Sequence, residues 1–166
     1  MTPAEVAEVR ERYRPGRIVT LFVAESPPVS GKFFYCGDTA MARYMQRAVE
    51  EATVSTDDFL KSFKARGWFL DDLALEPIDH LKGAPRRAAC RAAQRSLADR
   101  IAVYEPLAIV TLLASIRPFV LAAATAAGST APIYHLPFPG QGHQRRFLEE
   151  MARIRPKLPT KGQIVP

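Results

Sequence analysis

Residues 17–38 read RIVTLFVAESPPVSGKFFYCGD and join a continuous apolar run to an unusual loop. Five of the six residues from 18 to 23 are apolar, a pattern typical of a central parallel strand that is covered on both faces. The run ends at Glu25 and Ser26, because two prolines follow and prevent further strand pairing. Ligands bind at the carboxyl edge of open α/β sheets, so we expect Glu25 and Ser26 to lie in a binding site.

Three consecutive aromatic residues, Phe33, Phe34 and Tyr35, follow this loop. The segment has no periodicity that would bury all three rings, and a flat ligand stacked against them would explain their presence. The alternative places the rings in the core and leaves Glu25 with the structural task of capping a turn.

Apolar runs alternate with amphipathic segments along the rest of the chain. This order predicts a three-layer α/β/α sandwich with a four-stranded parallel sheet, built as a single domain of residues 1–166. The proline-rich tail, 156–166, is expected to be loosely held. We expect strands at 18–23, 68–73, 106–113 and 133–136, and helices at 3–14, 39–53, 55–67, 85–103, 115–127 and 144–153. Side chains that can cap a helix predict several of these starts, namely Thr2, either Asp38 or Thr39, Ser55 and Ser115.

The composition is that of a globular protein with a basic balance, 23 Lys and Arg against 17 Asp and Glu. A net charge of +6 favours a polyanionic partner without requiring one. No apolar run is long enough for a membrane span or resembles a signal peptide, so we expect a cytoplasmic monomer. Cys36 and Cys90 make no disulfide framework, and no Cys or His spacing predicts a zinc site, so no metal and no cofactor are expected.

The segment Ala24-Glu25-Ser26-Pro27 resembles motif A of the uracil-DNA glycosylase superfamily, a strand followed by a Gly-Glu-Ala-Pro type of loop. In that family the polar loop residue positions the attacking water, and an aromatic residue stacks on the flipped base. The resemblance implies these roles for Glu25 and Phe34, with Phe33 and Tyr35 as neighbouring candidates. It also implies the family's α/β architecture and DNA containing uracil or other deaminated bases as the substrate in base excision repair.

Two further stretches extend the resemblance along the chain. The family places a polar residue on its second strand to bind the base edge, and Asp71 or Asp72 stands there. The segment 136–143, LPFPGQGH, is similar to motif B, a proline-containing loop before a basic helix. By this resemblance Gln141 or a neighbour would enter the duplex. Two residues of the following helix, Arg145 and Arg146, would bind phosphates.

The departures from the family pattern affect the expected chemistry. Leu136 stands where the family commonly has a histidine that stabilises the departing base, and an aspartate replaces the usual asparagine on strand two. Donors for the leaving group are therefore sought in His143 and His135, or in backbone N–H groups at the start of the last helix. We expect a slow glycosylase with broad specificity for deaminated bases. The four cysteines of the iron-sulfur branch are absent.

The main alternative is a basic α/β module that binds nucleic acid or a nucleotide without catalysis. A glycine-rich phosphate loop would favour a nucleotide site, but neither a P-loop nor a dinucleotide-binding fingerprint follows any predicted strand. A hydrolase of another class is disfavoured because no Gly-x-Ser-x-Gly elbow occurs. Among the arginines of the long helix, Arg86 and Arg87 are the better phosphate candidates, whereas Arg95 and Arg100 are expected to be solvated at the surface.

Overall fold

A computed structural model describes residues 1–50 and 54–163 of the chain. A four-stranded, all-parallel sheet forms its centre, and helices flank the sheet, which confirms the predicted three-layer α/β/α sandwich. The strands are β1 (Thr20–Ala24), β2 (Trp68–Asp72), β3 (Ala108–Thr111) and β4 (Ile133–His135). The α-helices are α1 (Pro3–Arg12), α2 (Ala40–Val49), α3 (Thr56–Ala65), α4 (Gly83–Tyr104), α5 (Arg117–Ala126) and α6 (Gln144–Ile154).

The strand order β2-β1-β3-β4 places β1 in the interior of the sheet. Thr20 pairs with Trp68 on one side and with Ala108 on the other, and the side chains of residues 20–23 are fully buried. The continuous apolar run of β1 is therefore the consequence of cover on both faces. The chain leaves β1 toward β2 and returns on the opposite side as β3, so the carboxyl ends of β1 and β3 form the topological switch point of the sheet.

Helix starts follow the predicted caps with one exception. Thr2 and Glu5 form a capping box at α1, and Thr39 and Ser55 cap α2 and α3. The predicted cap at Ser115 is wrong, since a 3₁₀ turn (Ala114–Ile116) precedes α5 and Ile116 occupies the cap position. Pro118 belongs to the first turn of α5, where a missing N–H costs no helical hydrogen bond. Residues 51–53 of the predicted 39–53 helix lie outside the described residues.

The tail is held more firmly than the sequence indicates. Leu158 is buried, and the Pro159 carbonyl accepts hydrogen bonds from Thr20 Oγ1 and Trp68 Nε1, both at 2.9 Å. The Lys161 N–H donates to the Arg66 carbonyl at 2.8 Å. The prediction of a loosely held tail is wrong for residues 156–163, because this segment covers the amino ends of β1 and β2, and residues 164–166 lie outside the described residues.

Within residues 1–50 and 54–163, no helix combines the length and the apolar character needed to cross a bilayer. The same residues contain no group of three or more His, Cys, Asp or Glu side chains arranged to hold a metal ion. Cys36 is an exposed free thiol and Cys90 a buried one.

Candidate active site at the carboxyl edge of the sheet

A pocket of about 1130 Å³ opens at the switch point between the ends of β1 and β3. Its walls come from the loop after β1, the first turn of α4, the segment after β3 and the loop before α6. This is the edge where the sequence predicts the functional side chains. Those that line the pocket are Glu25, Ser26, Phe33, Phe34, Asp72, Arg86, Arg87, Gln141 and His143.

Glu25 lies directly after β1 and is almost completely buried. Arg86, in the first turn of α4, binds its carboxylate side-on. The Arg86 Nε–H lies 3.1 Å from Oε1 and 3.0 Å from Oε2, and Nη2 also contacts Oε1. Hydrogen bonding to the carboxylate raises the pKa of Arg86, so the guanidinium stays charged. Ser26, the next residue, accepts the Ile78 N–H at 3.2 Å, which fixes the loop after β1 against the loop after β2.

The two strand-two aspartates have different surroundings. Asp72 lines the pocket, and Arg10 of α1 binds its Oδ2. Asp71 is not among the residues that line the pocket, and its side chain contacts structural partners. Its Oδ1 accepts the Asp72 N–H at 2.8 Å, and its Oδ2 is bound by Arg100 of α4 and lies 3.3 Å from the Tyr104 hydroxyl. The alternative between the two aspartates is therefore decided in favour of Asp72 as the pocket carboxyl group.

Arg10 and Arg100 neutralise the charge that these aspartates bring into the core. Both arginines are shielded from solvent, with side-chain exposures of 7% and 16%. The expectation that Arg100 is solvated at the surface is wrong, since it also donates to the Asp72 carbonyl at 2.9 Å and to the Leu73 carbonyl at 3.1 Å. Arg95, by contrast, is exposed and pairs with Asp99 one turn away. Burial raises the pKa of Asp72 to about 6, although the Arg10 charge opposes that shift.

The three aromatic residues after the loop belong mainly to the core. Phe33 and Phe34 contribute to the pocket wall, but only 2% and 4% of their surfaces are exposed. Tyr35, which was predicted to contact the substrate, is not among the residues that line the pocket. Its ring stacks on Tyr13, and its hydroxyl donates to the Leu70 carbonyl and accepts the Leu70 N–H. Because β2 is an edge strand, this hydroxyl satisfies backbone groups that no neighbouring strand reaches.

The loop from 137 to 143 borders the opposite side of the pocket. Phe138 is partly exposed, and its ring lies so close to Gly140 that a Cβ at that position would be 2.7 Å from the ring. Gln141 is exposed and adopts a left-handed conformation, with φ of 53°, which is uncommon for a residue with a side chain. His143 is exposed at the N-terminus of α6, where its side chain makes no capping hydrogen bond. Gln141 and His143 thus both present their side chains at the pocket rim.

Three other predicted site residues, His135, Arg145 and Arg146, are not among the residues that line the pocket, and neither is Leu136. His135 ends β4, where its Nδ1 lies 2.7 Å from the Thr111 hydroxyl. Burial, with the nearby Arg117 charge, lowers the pKa of His135. Its ring is not among the residues that line the pocket, so the structure gives it no contact with a pocket ligand. Leu136 is fully buried and offers no polar side chain. Arg145 and Arg146 are exposed on α6 and pair with Glu149 and Glu150.

No family model matches the chain, and no curated protein matches it. Function is therefore inferred from the residues around the pocket. Charge in the lining is balanced, with Lys32, Arg43, Arg86 and Arg87 against Glu25, Asp38, Asp72 and Asp79. The formal charges of the lining cancel, so the excess positive charge of the chain lies outside the pocket.

Sequence reasoning missed the roles of Arg10 and Arg86. Arg10 shares one face of α1 with Val6 and Tyr13, at positions i, i+4 and i+7, so helical spacing indicates that it points inward. Arg86 was expected to bind phosphate, whereas in the structure it binds Glu25, a residue 61 positions earlier in the chain. Only the packing of α4 against the sheet brings these two residues together.

Proposed function

We propose that the chain is a monofunctional DNA glycosylase that hydrolyses the N-glycosidic bond of uracil or another deaminated base. The observation that carries the proposal is the Glu25 carboxylate, which follows β1 and lines the pocket at the switch point of the sheet. A carboxylate at such a site can orient a water and stabilise the positive charge that develops on the sugar.

In the proposed reaction the water oxygen forms a bond to the sugar C1′ atom, and the bond between C1′ and the base nitrogen breaks. The bonding electron pair leaves with the base, Glu25 accepts a proton from the water and passes it to solvent, and the departing base takes up a proton from solvent. His143 at the pocket rim is the proposed donor that stabilises the departing base, and Asp72 is the proposed contact for the base edge. Turnover should be slow, because Leu136 offers no polar group to the leaving base.

The choice of base is proposed to be broad. An ionised Asp72 only accepts hydrogen bonds and can bind an N–H of uracil, xanthine or hypoxanthine, whereas an asparagine amide could read a donor and an acceptor together. The proposed substrates therefore include deaminated purines.

A single-turnover assay tests the proposal with duplex and single-stranded oligonucleotides that carry uracil, xanthine or hypoxanthine. Alkali cleaves the abasic product, so base release is read as strand scission. We expect release with the wild-type protein and a loss of about two to four orders of magnitude in Glu25→Gln, the range for a positioned acid-base group. Glu8→Gln, an exposed residue on α1, is the matched control and should retain the wild-type rate.

The second candidate is a nucleic-acid-binding module without catalysis. It is favoured by one observation, the engagement of both Glu25 oxygens by Arg86, which also suits a purely structural ion pair. Salt-dependent binding of DNA together with no base release from any of the three substrates would support the module and exclude the glycosylase.

A further inference from the structure

The contact between Arg86 and Glu25 has a geometry that leaves the carboxylate able to accept a hydrogen bond from a water. Arg86 supplies the only side-chain hydrogen bonds to Glu25 among residues 1–50 and 54–163. All of them come from one edge of the guanidinium, through Nε and Nη2. A carboxylate offers about four acceptor positions, so the three contacts leave room for a water. The ion pair therefore fixes the orientation of Glu25 without saturating it.

Arg86 is itself held in place by the rest of α4. Arg100 lies 14 residues further along the same helix, almost four turns, and so projects from the same face. It binds the Asp71 carboxylate and the carbonyls of Asp72 and Leu73, which anchors the helix to the end of β2. The first turn of α4 is thereby set opposite the end of β1, where Glu25 stands.

The side chains of Glu25 and Arg86 differ in their exposure to solvent. The Glu25 side chain is 9% exposed, whereas that of Arg86 is 35% exposed and lines the same pocket. An isolated carboxylate at this depth would lose much of its hydration without compensation. The arginine supplies a charged, planar partner in its place, and a lysine could not reproduce the two-point contact.

We propose that Arg86 is a positioning residue, which holds the Glu25 carboxylate toward the attacking water in the pocket. The inference rests on the proposed glycosylase function, and it replaces the expectation that Arg86 binds a DNA phosphate. Arg86 acts through Glu25 and forms no bond with the reacting atoms.

The test compares Arg86→Ala and Arg86→Lys with Arg95→Ala, which removes an equal charge from an exposed position of the same helix. Single-turnover base release at saturating protein should fall about 100-fold in Arg86→Ala, the loss expected for a misplaced catalytic group. Arg86→Lys should recover part of this loss, and Arg95→Ala should retain the wild-type rate. Added guanidinium chloride should partly restore Arg86→Ala, whereas sodium chloride at the same concentration should not.

Binding measurements separate positioning from phosphate recognition. Unchanged release in Arg86→Ala, together with weaker duplex binding and a salt slope lower by about one unit, would overturn the inference in favour of a phosphate contact. Absence of rescue by guanidinium, with a rate loss that simply follows a lower fraction of folded protein, would also overturn it.

A readout without activity distinguishes failure of the inference from failure of the proposed function. The melting temperatures of Glu25→Gln, Arg86→Ala and the double variant form a thermodynamic cycle. Non-additive losses support the ion pair in solution, and additive losses overturn it whatever the activity. Non-additive losses in a protein that releases no base would instead show an intact pair and reject the glycosylase function, and with it the catalytic role of the pair.

Discussion

The Asp72 side chain is buried, lines the pocket and has one oxygen bound by Arg10. Burial raises its pKa to about 6, so the group is neutral below that pH and ionised above it. The neutral carboxyl group can donate as well as accept a hydrogen bond, in the manner of an amide, whereas the ionised form only accepts. For the proposed glycosylase we expect the ratio of uracil release to xanthine release to be higher at pH 5 than at pH 7.5.

The matched variant for this pH effect is Asp72→Asn, which cannot ionise. Its ratio of uracil to xanthine release should stay constant through pH 6, while Asp71→Asn, whose side chain is directed to Arg100, should retain the change. Single-turnover rates at pH 5, 6, 7 and 7.5 measure both ratios. A pH-dependent ratio that persists in Asp72→Asn would assign the titration to another group.

Tyr35 illustrates a residue whose chemistry is structural. Its buried hydroxyl contacts both backbone groups of Leu70, at 2.9 Å to the carbonyl and 2.7 Å to the N–H. Tyr35→Phe should lower the free energy of unfolding by about 1–3 kcal/mol, the cost of leaving buried polar groups unsatisfied. Urea denaturation measures the loss, and Tyr134→Phe, which changes a half-exposed ring on β4, is the control. A fall in base release with unchanged stability would instead return Tyr35 to the substrate site.

At the scale of elements, the sequence predicts a strand or a helix start wherever neighbouring residues alone determine it. The apolar run of β1 and the caps at Thr2, Thr39 and Ser55 are local signals, and the structure has the strand and the helix starts where they indicate. The position of the pocket could also be predicted from the sequence, because parallel strands bring their carboxyl ends together at one edge of the sheet. The side chains that bind Glu25 and Asp72 could not be predicted from the sequence. Arg86 and Arg10 lie 61 and 62 residues away from them, and only tertiary packing brings each pair together.

The burial of the aromatic residues 33–35 and the contacts of the tail could not be predicted from the sequence either. The rings of residues 33–35 lack a periodic pattern, yet they are buried because Tyr13, Phe59, Phe63 and Phe69 surround them from other elements. The prolines after 155 suggested a loose end, whereas two donors from the amino ends of β1 and β2 converge on the Pro159 carbonyl. Neither arrangement leaves a signal within a short window of sequence.

The tail contributes to stability through Leu158, which is 2% exposed. Leu158→Ala should lower the free energy of unfolding by about 2–5 kcal/mol, the usual range for a buried leucine. Lys157→Ala changes the exposed neighbour and should stay within about 0.5 kcal/mol of the wild type. Urea denaturation of both variants, monitored by the fluorescence of Trp68, measures the difference. Equal stability of the two variants would mean that the tail is loosely held after all.

At the scale of the whole molecule, charge is distributed unevenly between the pocket and the surface. Cations and carboxylates balance in the pocket lining, while the chain carries a net charge of +6. For the proposed function, we therefore expect the cations that attract DNA to lie outside the pocket. Arg145 and Arg146 are such residues, on the helix that begins beside His143 at the pocket rim. Both arginines are exposed in their i to i+4 pairs with Glu149 and Glu150, although Glu150 itself is partly buried, so these pairs cost little to exchange for a phosphate.

We predict that binding to a uracil-bearing duplex weakens as salt is added and that Arg145 and Arg146 each account for part of this dependence. In a plot of log affinity against log salt concentration, Arg145→Ala and Arg146→Ala should each lower the slope by about one unit. Arg95→Ala is matched in charge, exposure and i to i+4 pairing but lies on α4, and it should leave the slope unchanged. Fluorescence anisotropy at several ionic strengths measures the slopes. An equal effect of all three variants would mean that net charge alone explains the attraction to DNA and that α6 is not part of the DNA-binding surface.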